Sequence, residues 1–250
     1  MSVQQDVRPS LQTEGLSKAF GGVQAVNGAT VTFHEGKVNA LIGPNGSGKS
    51  TFFNIVTGMI APDSGTVRFR GRDITRRAPH RICAAGLGRS FQLCRTFPRM
   101  TVLENLLVAV RPTGLRQLAG SSQNRRQVER ARELLRRVGI DHLEGSLAQD
   151  ISYGQQKLLE LAGVLMGDPD TILLDEPAGG VNPALIGRIG TLVQELNAEG
   201  RTFIIVEHNM DMVMSLSDHI VVFDRGAPIA EGTPSEVQQD PRVLEAYLGV

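Results

Sequence analysis

Two short stretches hold the residue types that can do chemistry. The first, Gly-Pro-Asn-Gly-Ser-Gly-Lys-Ser-Thr at 43–51, fits the pattern G-x-x-x-x-G-K-[ST]. Its glycines let consecutive backbone N–H groups converge on phosphate oxygens, and a helix opening at the lysine adds a favourable dipole. In that arrangement Lys49 reaches the β- and γ-phosphates of a nucleotide, and the Ser50 hydroxyl ligates Mg²⁺. The second, Thr-Ile-Leu-Leu-Asp-Glu-Pro at 171–177, is an apolar strand ending in two carboxylates. Alternation along a strand would part Asp175 from Glu176, but Pro177 turns the chain and lets both face one phosphate. Asp175 then holds the metal through water, and Glu176 polarises an attacking water. Taken alone, Asp-Glu before proline is also an acidic helix cap; the phosphate loop in the same chain favours catalysis.

Such residues need strands behind them. Residues 38–42 form a short apolar run before the loop, and 49–57 read as a helix stopped by Gly58. Residues 171–174 and 202–206 are two more apolar runs, with a helix at 183–199 between them. This alternation implies a parallel α/β core. Residues 11–33, broken at Gly21-Gly22 and Asn27-Gly28, read as antiparallel strands, and 66–69 as another strand after the Pro62–Gly65 turn. Helices are expected at 101–110 and 124–138, with 111–122 as their linker, and again at 153–166. Residues 220–229 read as a hairpin around Asp224-Arg225-Gly226, and short helices close the chain. The block from about Gln92 to Ile151 interrupts the core and reads as an inserted helical lobe. The expectation is one domain: 1–91 with the antiparallel strands and phosphate loop, 92–151 as the lobe, and 152–250 as the rest of the core.

Bulk properties narrow the function classes. A chain of 250 residues that is 41% hydrophobic can bury a real core. Lys+Arg and Asp+Glu are both 26, so no net charge steers it to nucleic acid or membrane. Charge is uneven, however: six arginines stand against Asp73 between Arg68 and Arg81, and ten against Glu104, Glu129 and Glu133 in 92–140. These read as solvated helix faces, or as a surface near anionic lipid. Aromatics are too sparse among them for single-stranded nucleic acid. Cys83 and Cys94, with no CxxC, suggest reduced thiols. The start lacks a signal-peptide pattern, and no apolar run approaches the ~20 residues of a spanning helix.

Ile-Ser-Tyr-Gly-Gln-Gln at 151–156, together with the phosphate loop and Leu-Leu-Asp-Glu-Pro, resembles the ATP-binding-cassette ATPase family over nearly the whole chain. The resemblance implies an α/β fold: a P-loop NTPase (RecA-like) core with an N-terminal antiparallel β subdomain and an inserted helical subdomain. It implies ATP and Mg²⁺ as ligands, and a head-to-tail pair of ATPase subunits in which each signature caps the ATP held by the other. Ser152, Gly154 and Gln155 then act in trans; Ser152 is also a good helix N-cap, and both roles can hold together. Gly43, Pro44, Asn45, Gly46, Ser47, Gly48, Lys49, Ser50 and Thr51 would cradle the phosphates, with Phe20 and Val26 on the nucleotide. Gln92 matches the Q-loop residue that senses Mg²⁺, and His208 the switch histidine. Asn182 ends the stretch that matches the D-loop.

Four positions depart from the family pattern: Tyr153 and Ile151 in the signature, Asn182 for the common aspartate, and Gly163 where many relatives carry arginine. Longer stretches, among them Gly-Leu-Gly-Arg-Ser-Phe-Gln and the Val-Leu-Glu-Ala-Tyr-Leu-Gly ending, are similar to importer ATPases for branched-chain amino acids and related amides such as urea. Lipopolysaccharide-export ATPases share several of them. The implied partners are two transmembrane permease subunits and a substrate-binding protein, with the chain cytoplasmic and peripheral on the inner membrane face. A small-molecule kinase would have no use for the signature, and a soluble cassette acting on nucleic acid would usually carry two cassettes or a long coiled coil.

Overall fold

The computed structural model describes residues 8–90, 96–109 and 121–248, with side chains described for 8–90, 96–109 and 125–247. In chain order the elements are β1 (Pro9–Phe20), β2 (Val23–His34), β3 (Val38–Ile42), α1 (Lys49–Val56), β4 (Ser64–Phe69), β5 (Arg72–Asp73), α2 (Pro79–Ala84) and β6 (Leu87–Arg89). Then come α3 (Val102–Ala109), α4 (Ser121–Val138), α5 (Tyr153–Met166), β7 (Thr171–Asp175), α6 (Pro183–Ala198), β8 (Thr202–Val206), α7 (Met210–Leu216), β9 (His219–Asp224), β10 (Ala227–Gly232), α8 (Pro234–Gln239) and α9 (Pro241–Leu248). They divide into two compact units, one of 1–89, 170–176 and 196–250, the other of 90–169 and 177–195.

The first unit holds two sheets. One is antiparallel, in the order β2-β1-β4-β5; the other runs β10-β9-β3-β8-β7-β6 and is parallel except where β10 pairs with β9. Every residue of β3, β7 and β8 is buried, the pattern of parallel strands covered on both faces. Helix α1 is locked by rings from both sheets. Phe52 stacks edge-on with Phe33 of β2 at 6.2 Å and with Phe223 of β9 at 5.2 Å. Phe52 and Phe53 are wholly buried in one core with Leu11, Leu41, Val206 and Val221. The helix that begins at Lys49 is therefore fixed by apolar packing along its length.

The second unit is helical, built on α3, α4 and α5 with the greater part of α6. Asn105 of α3, only 8% exposed, clamps the loop before it: its amide donates to the carbonyls of Phe97, Met100 and Thr101, and its oxygen accepts from the Phe97 N–H. Phe97 itself is left 52% exposed. Arg188 donates to the Val138 carbonyl, joining α6 to the end of α4.

Local signals explain both agreement and difference. The helix at 153–166 and the strand at 202–206 fall where the apolar pattern places them. Helix α4 starts at Ser121, inside the stretch read as a linker, and 110–120 lie outside the described residues. β5, α2, β6 and α7, of two to seven residues, are too short to show a period. Gly163 sits mid-helix in α5, and a Cβ there would meet only the Leu106 side chain at 3.9 Å, an ordinary contact. Gly163→Ala should stabilise the chain by about 1 kcal/mol, the helix-propensity difference, read as a raised denaturant midpoint at unchanged slope.

Candidate functional site

The 43–48 loop leaves β3 and enters α1 with a shape that only glycine permits at two points. Gly43, at φ 148°, faces the Phe223 carbonyl, and Gly48, at φ 101°, faces the Ala25 carbonyl, so a Cβ at either would strike backbone. Gly46, at φ 79°, has open space around it. The loop is laced from outside: Ser47 accepts from Gly226 N–H at 2.9 Å, and Gly226 accepts from Asn27 N–H at 2.8 Å. Gly226 and Arg225 both adopt positive φ in the β9–β10 turn. From α9, Tyr247 reaches the same loop; burial pushes its phenol pKa up, partly offset by a hydrogen bond from the Gly43 backbone.

Lys49 is 5% exposed, and its ammonium folds back into the loop. It donates to the carbonyls of Gly43 at 2.8 Å and Pro44 at 2.9 Å, and to Ser47 Oγ at 3.4 Å. Burial pushes its pKa below the usual lysine value, while the charges of Glu176 and then Asp175 pull it back. Those oxygens, all from the loop itself, hold the ammonium inside it. Ser50, next in α1, is exposed, and Thr51 half-buried. Asn45 is exposed, Pro44 half-buried and Ser47 buried.

Two carboxylates end β7, and the structure gives them different neighbours. Asp175 is 3% exposed and accepts a 2.8 Å bond from Arg89 Nη2. Glu176 takes φ 50°, a left-handed conformation costing about 1–2 kcal/mol for a residue with a Cβ. The turn expected at Pro177 thus starts one residue earlier. Glu176 N–H still bonds to Val206 across the sheet, and its carboxylate lies 3.1 Å from His208 Nε2. His208 follows β8, and buried Glu207 shapes that turn by accepting from the N–H groups of His208 and Asn209. Lys49, Asp175, Glu176 and His208 all belong to the first unit.

The other expected residues are placed as follows. Phe20 is 46% exposed at the end of β1, with the Lys18 ammonium 5.5 Å from its ring. Val26 is wholly buried in the core of the first unit, between Ala25 and Asn27, whose backbones meet Gly48 and Gly226. Gln92 lies outside the described residues. In the second unit, Ser152 caps α5: its hydroxyl accepts from Gln155 N–H, and the Gln155 side chain accepts from Ser152 N–H. Ser152 is exposed and Gly154 half-buried, and a Cβ at Gly154 would press on Leu185 at 2.5 Å. Tyr153, 43% exposed, lies over Gly180. Asn182 accepts from Leu185 N–H at the start of α6, a cap an aspartate would equally supply.

With this geometry in place, known proteins supply the comparison. A family model described as ABC transporter matches residues 26–179. The chain belongs to the ABC transporter family. Members bind and hydrolyse ATP to drive transport, and this cassette has the loop and carboxylates for it. A second model, described as branched-chain amino acid ATP-binding cassette transporter, matches residues 227–250. The cassette is 43% identical to a probable branched-chain amino acid transport ATP-binding protein LivG of Archaeoglobus fulgidus, covering 96% of this chain and 95% of that one. It is 41% identical to the high-affinity branched-chain amino acid transport ATP-binding protein BraF of Pseudomonas aeruginosa, covering 97% and 98%. A crystal structure of a nucleotide-free ATP-binding cassette from an ABC transporter matches with TM-score 0.86 and 38% identity, over 97% of this chain and all of that one. No helix among the described residues of the cassette is long and apolar enough to cross a membrane.

Sequence reasoning missed four residues of this cassette. Arg89, Glu207, Gly226 and Tyr247 all touch the loop or the strand ends that carry the site. Arg89 had a faint signal, standing three residues before Gln92; the others are brought in from afar by the fold.

Proposed function

We propose that the chain is the ATP-hydrolysing subunit of an importer of branched-chain amino acids, acting as one half of a head-to-tail pair beneath two permease subunits and a substrate-binding protein. The observation that carries the catalytic reading is Glu176 and His208 meeting at 3.1 Å, with Lys49 electrostatically coupled to Glu176. The substrate class follows from the C-terminal match at 227–250 and from the names of the relatives.

The loop fits a triphosphate. Open space at Gly46 and backbone-tight glycines at 43 and 48 leave room for phosphate and aim N–H groups at it. Lys49 exchanges the Gly43 and Pro44 carbonyls for β- and γ-phosphate oxygens. Phe20, exposed, offers a ring for the adenine. Glu176 takes a proton from water; that water's oxygen attacks the γ-phosphorus as the bond to the bridging oxygen breaks, and ADP carries off the electron pair. His208 holds the Glu176 carboxylate in line. Among the described residues no cluster of three or more His, Cys, Asp or Glu stands ready for a metal. Mg²⁺ would therefore rest on Ser50, Asp175 and Gln92 with the nucleotide's own oxygens, as this ion prefers, and would neutralise their charge. Ser152, Gly154 and Gln155 of one chain cap the γ-phosphate held by the other.

Transport by the purified complex tests this reading. ATP-dependent uptake of leucine, isoleucine or valine into vesicles is expected; an ATPase stimulated only by some other solute's binding protein overturns the substrate class. We assign the permease contact to the 93–100 stretch, where exposed Phe97, its backbone held by Asn105, offers an apolar anchor to a short helix. Phe97→Asp should abolish uptake and leave the isolated ATPase intact. Crosslinks that map the permease to the Gly226 turn instead would contradict the placement.

A further inference from the structure

Beside Asp175 stands a second cation that no part of the mechanism above uses. Arg89, at the end of β6, is buried with Asp175, their side chains 9% and 4% exposed. Its Nη2 donates to Asp175 at 2.8 Å, while Nη1 donates to Asn54 Oδ1 at 2.8 Å and to Thr57 Oγ1 at 2.9 Å. The guanidinium also lies 5.7 Å from the Phe53 ring. Asn54 belongs to α1 and Thr57 is its C-cap, so the cation is fixed to the far end of the helix that begins with Lys49. A guanidinium held on several partners cannot lose its proton or swing to a ligand.

We propose that Arg89 is a positioning residue of the ATP site: it neutralises Asp175 so that Lys49 stays available to phosphate. Lys49 lies within Coulombic reach of Asp175, yet its ammonium rests on the weakly binding carbonyls of Gly43 and Pro44. A buried carboxylate without Arg89 would demand a cation, and Lys49, held only by neutral oxygens, is one within Coulombic reach. The ion pair thus divides the labour of two positive charges, one spent on the protein's own anion and one kept for the substrate's. This inference rests on the reading of Lys49 as the phosphate cation.

Equilibrium binding of a fluorescent ATP analogue in EDTA tests it on the full chain, because without metal Asp175 gives the nucleotide nothing but repulsion. Arg89→Met should weaken metal-free binding roughly tenfold or more, the worth of one charge-assisted hydrogen bond. Arg89→Lys should weaken it less. Asp175→Asn, which removes the buried charge, sets the reference, and Arg89→Met/Asp175→Asn should match it, since no anion is left to capture the lysine. A double variant as weak as Arg89→Met, or an Arg89→Met that binds normally, overturns the proposal. Should Arg89→Met fail to fold, the two Asp175→Asn proteins still decide: both lack the buried charge, and a roughly tenfold gap between them is contrary to the proposal. Lys49→Ala with unchanged metal-free binding would instead overturn the reading beneath it.

Discussion

Glu176→Gln should bind ATP and fail to split it. The amide keeps the size of the side chain and its contact with His208 Nε2, now 3.1 Å from Glu176 Oε1, but accepts no proton from water. Loss of a general base costs about 10²–10⁴ in rate, roughly 3–5 kcal/mol of barrier. Binding survives because the loop amides, Lys49 and Ser50 are untouched. If ATP is held between the 43–50 loop of one chain and Ser152 to Gln155 of another, the variant accumulates as an ATP-bound dimer. Ser152→Arg added to it should disperse that dimer. Arginine also loses the helix cap, so Ser152→Asp supplies the control: it keeps the cap yet sets a negative charge against the phosphate. Sedimentation with ATP and with ADP, with any partner cassette present, gives the answer. A Glu176→Gln protein that is monomeric under every condition, or a dimer indifferent to both Ser152 changes, would defeat the sandwich.

Lys49→Ala should be nearly as severe and fail one step earlier. Removing the cation takes away charge-assisted bonds to the phosphates, and losing one preorganised donor of this kind costs about 10²–10³ in turnover. Lys49→Arg is expected to fare little better, because a wide planar fork cannot place its charge as the compact ammonium does at a site only 5% exposed. Two measurements separate this variant from Glu176→Gln. Hydrolysis is lost in both, but only Lys49→Ala should also lose the rise in melting temperature that ATP gives the folded chain, worth about 2.7 kcal/mol when ATP stands at 100 times its Kd. Near wild-type turnover at saturating ATP would contradict the role of Lys49.

How much of this was legible in the residues alone differs by the range over which each signal acts. The phosphate loop and the β7 carboxylates were readable because their chemistry is local: glycine spacing, a lysine, an acid pair after an apolar run. The parallel core was readable because β3, β7 and β8 are mostly apolar runs, and the fold buries every residue of them, as strands covered on both faces must be. Arg89 escaped because its meaning lies in Asn54, Thr57 and Asp175, which only the fold gathers around it. Val26 shows the converse: a family pattern gives a residue's neighbourhood, but strand alternation decides that its side chain is wholly buried. Glu176 shows a third limit, since no pattern announces that a glutamate will take the left-handed region usually left to glycine.

The lacing of the loop has a thermodynamic corollary. Asn27, Ser47 and Gly226 are joined in series by two backbone hydrogen bonds, though they come from a strand, the loop and a distant hairpin turn. The disorder that a flexible glycine segment would surrender to a ligand has been surrendered already, at the moment of folding, so association begins from a shape that needs little rearrangement. The same coupling runs backwards. Fraying of the β9–β10 turn would loosen the 43–48 loop without any change in the loop's own residues, and a nucleotide bound at the loop would in turn hold the hairpin shut.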